Sequence, residues 1–195
     1  FAARGLQRDN YEVGRLNLKE GFYEGKMPED AAVLVIAGPR RLLLPEERDA
    51  LLSWLKDGGR AVFLLDPDSH QSFKDLLGHW GIIVGDRTVV DEYSSITGDP
   101  RTPLLQSDQY LGATPITDPL DVTFFPGATP LGIPLEFQED PRKQPPWVQY
   151  LPLASTSFVS WATSDLERNT FRPGEDDAGP LPLAMAMRAT GTLEE

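Results

Sequence analysis

Four charged residues that follow predicted strands are the best candidates for a ligand-binding site. One short apolar run is followed by Gly38-Pro39-Arg40 and the next by Asp66-Pro67-Asp68, and Asp91 follows a third strand candidate. In open parallel sheets, ligands bind in the crevice beyond the carboxyl ends of the strands. The pattern therefore predicts that Arg40 clamps an anion, and that the carboxylates bind a hydroxyl or a hard cation such as Ca²⁺. The alternative is that these residues only solvate the loops that end the strands.

The sequence contains none of the common catalytic motifs. It has no G-x-S-x-G elbow, no Walker loop and no G-x-G-x-x-G fingerprint. His70 and His79 lack the H-E-x-x-H spacing of zinc proteases, and the absence of Cys excludes disulfides, thiolate metal sites and Cys nucleophiles. We therefore expect a binding domain without a metal or cofactor. The alternative is a carboxylate- or metal-dependent hydrolase or lyase that uses the three carboxylates above together with Glu92 at the sheet edge.

A second group of residues has weaker functional patterns. Trp147 and Trp161 lie in Pro- and Ser-rich surroundings, and each is a candidate exposed anchor for a partner protein. The run Glu175-Asp176-Asp177 is either a cation site or, the more common case, a solvated acidic loop. We expect His70 to cap the helix that follows it rather than to bind a metal.

The first half of the chain alternates strand and helix signals. Pro45, followed by Glu46 and Glu47, is typical of the first turn of a helix, and Gly58-Gly59 is typical of the left-handed C-cap that ends one. Further apolar patterns predict a second helix over Gln71–Trp80 and strands over Tyr11–Leu18, Val33–Ala37, Ala61–Leu65, Ile82–Val84 and Thr88–Val90. Val33–Ala37 and Ala61–Leu65 are typical of strands buried on both faces of a parallel sheet.

After Glu92 the pattern changes, because 14 of the 18 prolines lie beyond it. Strands are predicted over Val122–Phe125, Val148–Ala154 and Leu183–Arg188, and long loops over Tyr93–Pro119, Glu136–Trp147 and Glu167–Pro182. We therefore divide the chain into an α/β core over residues 1–92 and a Pro-rich, loop- and strand-rich continuation over residues 93–195. The continuation either completes the same domain or forms a small subdomain.

Charge and apolar run length exclude several classes of function. The net charge is −12, with 30 acidic and 18 basic residues, which argues against nucleic-acid binding and against docking on anionic lipids. The longest apolar runs, Ala31–Ala37 and Ala61–Leu65, are far shorter than the roughly 20 residues of a membrane-spanning helix. The sequence has no initiator Met, and the pattern before Tyr11 resembles the end of a helix. We therefore expect a soluble fragment of a longer protein.

Several blocks of the sequence resemble auxiliary components of ABC-type transport systems, including those associated with gliding motility. The most specific blocks are residues 30–40 (DAAVLVIAGPR), 44–47 (LPEE), 55–60 (LKDGGR) and 64–67 (LLDP). The segments around residues 11–18, 27–30, 155–161, 177–180 and 183–187 fit the same pattern, so the resemblance spans nearly the whole chain.

The resemblance implies a membrane-anchored subunit whose large domain lies on the extracytoplasmic (periplasmic) face and works with a permease and an ATPase. The membrane would be reached only through parts of the parent protein outside this chain. The implied fold is flavodoxin-like or glutamine-amidotransferase-like, a mostly parallel sheet with flanking helices that also occurs in an intraflagellar-transport component. An amidotransferase mechanism is excluded because the chain has no Cys nucleophile. The implied function is recognition of a small-molecule or polysaccharide substrate, or of a partner protein; a purely structural scaffold is the alternative.

Overall fold

A computed structural model describes residues 2–16, 27, 30–95, 98–111, 114–168 and 170–193. The chain divides into two compact units, residues 1–33 with 44–60 and residues 34–43 with 61–195. None of the helices in the described ranges has the length and apolar character needed to cross a membrane.

The first unit begins with helix α1 (Ala2–Arg8), as the pattern before Tyr11 predicts. Asn10 adopts a left-handed conformation at φ 64°, and the amide of Tyr11 donates to the carbonyl of Leu6 at 3.0 Å, which ends the helix. The predicted strand over Tyr11–Leu18 is wrong for residues 11–16, which form no strand pairing. Two of its apolar side chains are exposed, since Tyr11 is 58% and Leu16 40% exposed. Residues 17 and 18 lie outside the described residues.

Helix α2 (Pro45–Lys56), also in the first unit, confirms the predicted helix and both of its end signals. Pro45 occupies the first turn, and the Glu47 carboxylate accepts a hydrogen bond from the amide of Leu44 at 2.9 Å. Leu51 is buried. After the helix, Gly58 takes a left-handed conformation at φ 96°, which a residue with a Cβ adopts only at a cost.

The second unit contains the parallel strand pair of β1 (Leu34–Ala37) and β2 (Ala61–Leu64), with Leu34 opposite Ala61. Both strands were predicted, but burial on both of their faces is wrong. Val35 is 49% and Val62 45% exposed, because side chains alternate across a strand and one face of this two-stranded pair stays open. Helix α3 (Gln71–Gly78) follows β2 in the same unit.

The other strands of the second unit pair antiparallel. Strand β3 (Ile83–Val84) pairs with β7 (Leu131–Gly132), and β5 (Leu104–Gln106) pairs with β6 (Val122–Phe124). Strand β9 (Trp161–Thr163) lies between β4 (Thr88–Val90) and β10 (Asp177–Ala178). The longest pair joins β8 (Val148–Ser155) to β11 (Pro182–Ala189).

The chain is therefore a mixed α/β protein, as predicted, but the mostly parallel sheet is not found in the described residues. Among the pairings of named strands there, β1–β2 alone is parallel. Strands β3 and β4, which were expected to extend that sheet, pair with partners from the second half of the chain instead. An antiparallel pair needs no helical crossover between its strands.

The second half is less irregular than predicted. The three predicted strands correspond to β6, β8 and β11, whereas β9 was not predicted. The predicted loop 93–119 contains β5 and a 3-10 turn over Ser107–Gln109. The predicted loop 136–147 contains helix α4 (Leu135–Glu139) and a 3-10 turn over Pro141–Lys143, and the loop 167–182 contains β10.

The core of the second unit joins residues from both halves of the chain. One buried cluster consists of Val89, Leu105, Ala154, Ala162, Leu181 and Leu183. A second cluster contains Leu77, Ile82 and Val84, with Tyr150 packed against it. The hydroxyl of Tyr150 also donates to the carbonyl of Trp80 at 2.5 Å, just before the left-handed residue Gly81.

We predict opposite stability effects for two glycine substitutions near the end of α3. At Gly81 (φ 76°) a Cβ would collide with the Tyr150 hydroxyl, so Gly81→Ala should lower the free energy of unfolding by roughly 1–3 kcal/mol. Gly78 is the last residue of the helix and has open space around it, so Gly78→Ala should raise that free energy by at most about 0.5–1 kcal/mol. Urea unfolding measures both, and equal effects of the two changes would contradict the left-handed turn.

Candidate functional site

The strand ends of β1 and β2 bring together two of the predicted ligand-binding residues. The guanidinium of Arg40 forms an ion pair with the carboxylate of Asp68, with 2.5 Å between Nη1 and Oδ2. Both side chains are well exposed, at 69% and 56%. A guanidinium only donates hydrogen bonds and a carboxylate only accepts them, so the pair offers a ligand both functions side by side.

Backbone contacts hold this pair at the carboxyl ends of the two strands. The amide of Gly38 donates to the carbonyl of Leu64 at 2.9 Å, and the amide of His70 donates to the carbonyl of Pro39 at 2.8 Å. Gly38 adopts a left-handed conformation at φ 53°, and an added Cβ there would lie 3.6 Å from Oδ2 of Asp66. The third predicted residue of the site, Asp66, therefore lies beside the turn that leads to Arg40.

The loop after β2 is fixed from within the second unit. The amide of Asp66 donates to the hydroxyl of Ser69 at 2.9 Å. His70 caps α3 as predicted, because its Nδ1 accepts a hydrogen bond from the amide of Ser72 at 3.2 Å. This role occupies one ring nitrogen of His70 with a structural contact. Within the described part of the chain, no three His, Asp or Glu side chains are placed to hold a metal ion.

Lys74 supports the same loop and was not predicted. It is 7% exposed, and its ammonium donates to the carbonyl of Pro67 at 2.9 Å and to the carbonyl of Gly85 at 3.0 Å. A buried ammonium needs such acceptors because its desolvation is costly. The one hint of its burial in the sequence is the position of Lys74 beside the apolar stripe of α3. That position does not show that the carbonyls of Pro67 and Gly85 accept its hydrogen bonds.

Asp91, the fourth predicted ligand-binding residue, is fully buried. Its Oδ1 accepts hydrogen bonds from the amides of Tyr93 and Ser94 at 3.2 Å each and from the Ser157 hydroxyl at 2.7 Å. Its Oδ2 accepts from the amide of Ser157 at 2.9 Å. Among the described residues, no hydrogen bond or ion pair joins Asp91 to the Arg40–Asp68 pair. Asp91 thus fastens two loops together, whereas the neighbouring Glu92 is exposed.

The two tryptophans predicted as partner anchors are not equally available. Trp161 is 4% exposed, so the expectation of an exposed anchor is wrong there; it lies in β9, the central strand of its sheet, whose three residues are all buried. Trp147 is half-buried, and an added Cβ at Gly191 would lie 3.1 Å from its ring. The ring of Trp147 therefore packs against its own chain on at least one side.

The acidic run 175–177 forms an ion-pair network rather than a freely solvated loop. Asp176, whose side chain is 2% exposed, binds the guanidinium of Arg168 at 2.8 Å and the amide of Arg172 at 2.7 Å. Burial of Asp176 raises its pKa, whereas the hydrogen bond from Arg172 lowers it. The hydroxyl of Thr163 and the charge of Arg168 lower it further, so the net pKa lies below the ordinary value of 3.8.

The remaining two acids of this run also face arginines. Glu175 lies 3.3 Å from Arg172, and Asp177 lies 3.0 Å from Arg87. With its carboxylates neutralised by protein cations, the run is a poor cation site. It fastens the segment before β10 instead.

We predict that Asp91→Asn destabilises the fold. The amide keeps the shape of the side chain but turns a donor group toward the donors of Ser157 or the loop amides, at a cost of roughly 1–3 kcal/mol in free energy of unfolding. Glu92→Gln removes the adjacent exposed charge and should change that free energy by less than about 0.5 kcal/mol. Urea unfolding compares the two, and equal effects would show that the buried contacts of Asp91 contribute nothing.

For Asp176→Asn we predict a pH-dependent loss of stability. Because the folded pKa is lowered, the ionised group stabilises the fold above the unfolded value of 3.8, and this stabilisation is lost as pH falls through the lower folded pKa. The difference between wild type and variant in free energy of unfolding should therefore be constant near neutral pH and shrink below about pH 4. Asp121→Asn, at an exposed position, is the control. A difference that grows in acid would contradict the assigned contacts.

Comparison with known proteins shows a likeness of fold. No protein-family model matches the chain, and no curated protein matches it. Among solved structures, one described as "mmIFT52 N-terminal domain" matches with a TM-score of 0.56 and 18% sequence identity. The match covers 82% of this chain and 66% of that chain, so this protein spans just under two thirds of the length of that domain. At this identity the likeness shows a shared mixed α/β fold and carries no function.

Proposed function

We propose that this chain is a non-catalytic binding domain of the accessory subunit of an ABC-type transporter, and that it recognises a substrate at the β1–β2 strand ends. The observation that carries the proposal is the exposed Arg40–Asp68 pair, fixed beside Asp66 at the carboxyl ends of two parallel strands. Parallel strands of α/β folds bind ligands at this edge. The transporter assignment rests on the sequence resemblance, with a permease and an ATPase as partners on the periplasmic face.

The energetics of the pair support a binding role. An exposed ion pair contributes only about 0–1 kcal/mol to stability, so Arg40 and Asp68 are not needed to hold the loops together. The backbone contacts around Gly38 and the ammonium of Lys74 do that instead. A ligand hydroxyl or carboxylate can therefore replace one partner of the pair at little cost to the fold.

The chemistry of the pair favours a small polar substrate or a segment of polysaccharide. Sugar hydroxyls both donate and accept hydrogen bonds, which matches a guanidinium and carboxylates within one loop cluster. Acidic sugars would gain an additional charge-assisted hydrogen bond to Arg40.

We also propose that the segment from β1 to α3 is built in the flavodoxin-like manner. Its chain order is strand, helix, strand, helix, and its two strands pair in parallel.

We predict that Arg40→Ala combined with Asp66→Ala abolishes substrate binding without unfolding the domain. Isothermal titration with a panel of neutral and uronic-acid-containing oligosaccharides measures the affinity, which should fall at least tenfold for the sugar that binds the wild type best. Arg48→Ala combined with Asp49→Ala removes an exposed ion pair from α2 and is the matched control. Unchanged affinity in the first double variant would refute the strand-end site, and a wild type that binds no sugar would refute the polysaccharide substrate.

A further inference from the structure

Three large apolar side chains of the second unit are mostly exposed to solvent. Tyr93 is 84%, Phe158 86% and Val159 61% exposed. Tyr93 lies in the loop after β4, and Phe158 and Val159 lie in the turn before β9. We call these three side chains the aromatic patch. Exposed apolar residues that occur singly need no explanation, whereas exposed apolar side chains carried by neighbouring backbone segments mark a candidate interaction site.

The carboxylate of Asp91 holds the two parts of the aromatic patch together. It accepts hydrogen bonds from the amide of Tyr93 itself and from both the amide and the hydroxyl of Ser157, the residue before Phe158. The backbones that carry the two aromatic rings are thus bound to one buried side chain.

Further hydrogen bonds stiffen both segments. The hydroxyl of Ser160 donates to the carbonyl of Ser157 at 2.8 Å, which closes the turn around Phe158 and Val159. The hydroxyl of Ser94 donates to the carbonyl of Leu104, and the amide of Leu104 donates back to the carbonyl of Ser94 at 2.9 Å. The rings are therefore presented on ordered loops, and little conformational entropy is lost when a partner covers them.

We propose that the aromatic patch is the docking site of a partner protein that presents apolar side chains next to an Arg or Lys. The exposed Glu92 adjoins Tyr93, and neither 92–95 nor 156–160 contains a Lys or Arg. The whole chain carries a net charge of −12. A cationic side chain of the partner would be attracted by this negative charge and by the faces of the Tyr93 and Phe158 rings.

The negative net charge also argues against a second copy of the chain or an anionic membrane as the occupant of the aromatic patch. A second copy of the chain would bring another −12 into contact, and an anionic membrane surface would be repelled. The aromatic patch is independent of the Arg40–Asp68 pair, so either proposal can fail without the other.

Three synthetic twelve-residue peptides test the partner chemistry directly. The first combines Leu with Arg, the second replaces Arg by Glu, and the third replaces Leu by Ser. We expect the Leu–Arg peptide alone to bind the wild type, and to bind the Tyr93→Ser, Phe158→Ser double variant at least tenfold more weakly. Ile116→Ser combined with Leu135→Ser, which removes two exposed apolar side chains elsewhere, should bind as the wild type does.

Amide chemical shifts of the wild type locate the peptide without any substitution, which keeps the test decisive if a variant fails to fold. Shifts at Tyr93, Ser94 and Phe158 on addition of the Leu–Arg peptide would support the proposal. It would be overturned by equal binding of the Leu–Glu peptide, by binding of no peptide, or by equal loss in the control variant. Patch-dependent binding to phosphatidylcholine vesicles, or patch-dependent dimerisation in sedimentation experiments, would overturn it in favour of a membrane or a second copy.

Discussion

The carboxylate of Asp91 is removed from solvent and receives hydrogen bonds from loops on two distant parts of the chain. Burying a charge is tolerable only when several donors replace water, so the loop after β4 and the turn before β9 must keep their positions relative to each other. The ladder between β4 and β9 begins beside these contacts, with Val90 opposite Trp161. The same side chain thus ties the end of β4 to the segment that leads into β9.

Two kinds of surface result from the way in which the loops are fixed. At the ends of β1 and β2, backbone hydrogen bonds and the buried ammonium of Lys74 hold the loops, and the exposed Arg40–Asp68 pair is not needed to hold them. At the end of β4, a buried carboxylate sets the loops and leaves aromatic rings exposed. We propose the first surface for a small polar molecule and the second for a larger partner, because exposed rings contribute most to binding when a wide contact excludes water.

Local signals in the sequence predicted what is local in the structure. Pro45 and Gly58 marked the ends of α2, His70 capped α3, and the apolar run before Gly38 became β1. The pairing of Ile83 with Gly132 and of Val90 with Trp161 joins residues far apart in sequence, and no short pattern specifies such partners. This is why the antiparallel partners of β3 and β4 were missed and a larger parallel sheet was expected. The expectation that Asp91 lies beside the ends of β1 and β2 was wrong for the same reason, because the strand that precedes it, β4, pairs with β9. The exposure of Phe158 depends on the same long-range contacts, because Phe and Trp three residues apart give no sign of which ring lies inside.

The most direct test of the account uses this domain, tagged, as bait on detergent-solubilised membranes of its own organism, with mass spectrometry of the retained proteins. We expect specific recovery of an ABC-type permease together with its ATPase. Recovery of neither, from a domain shown to be folded, would contradict the assignment to a transporter.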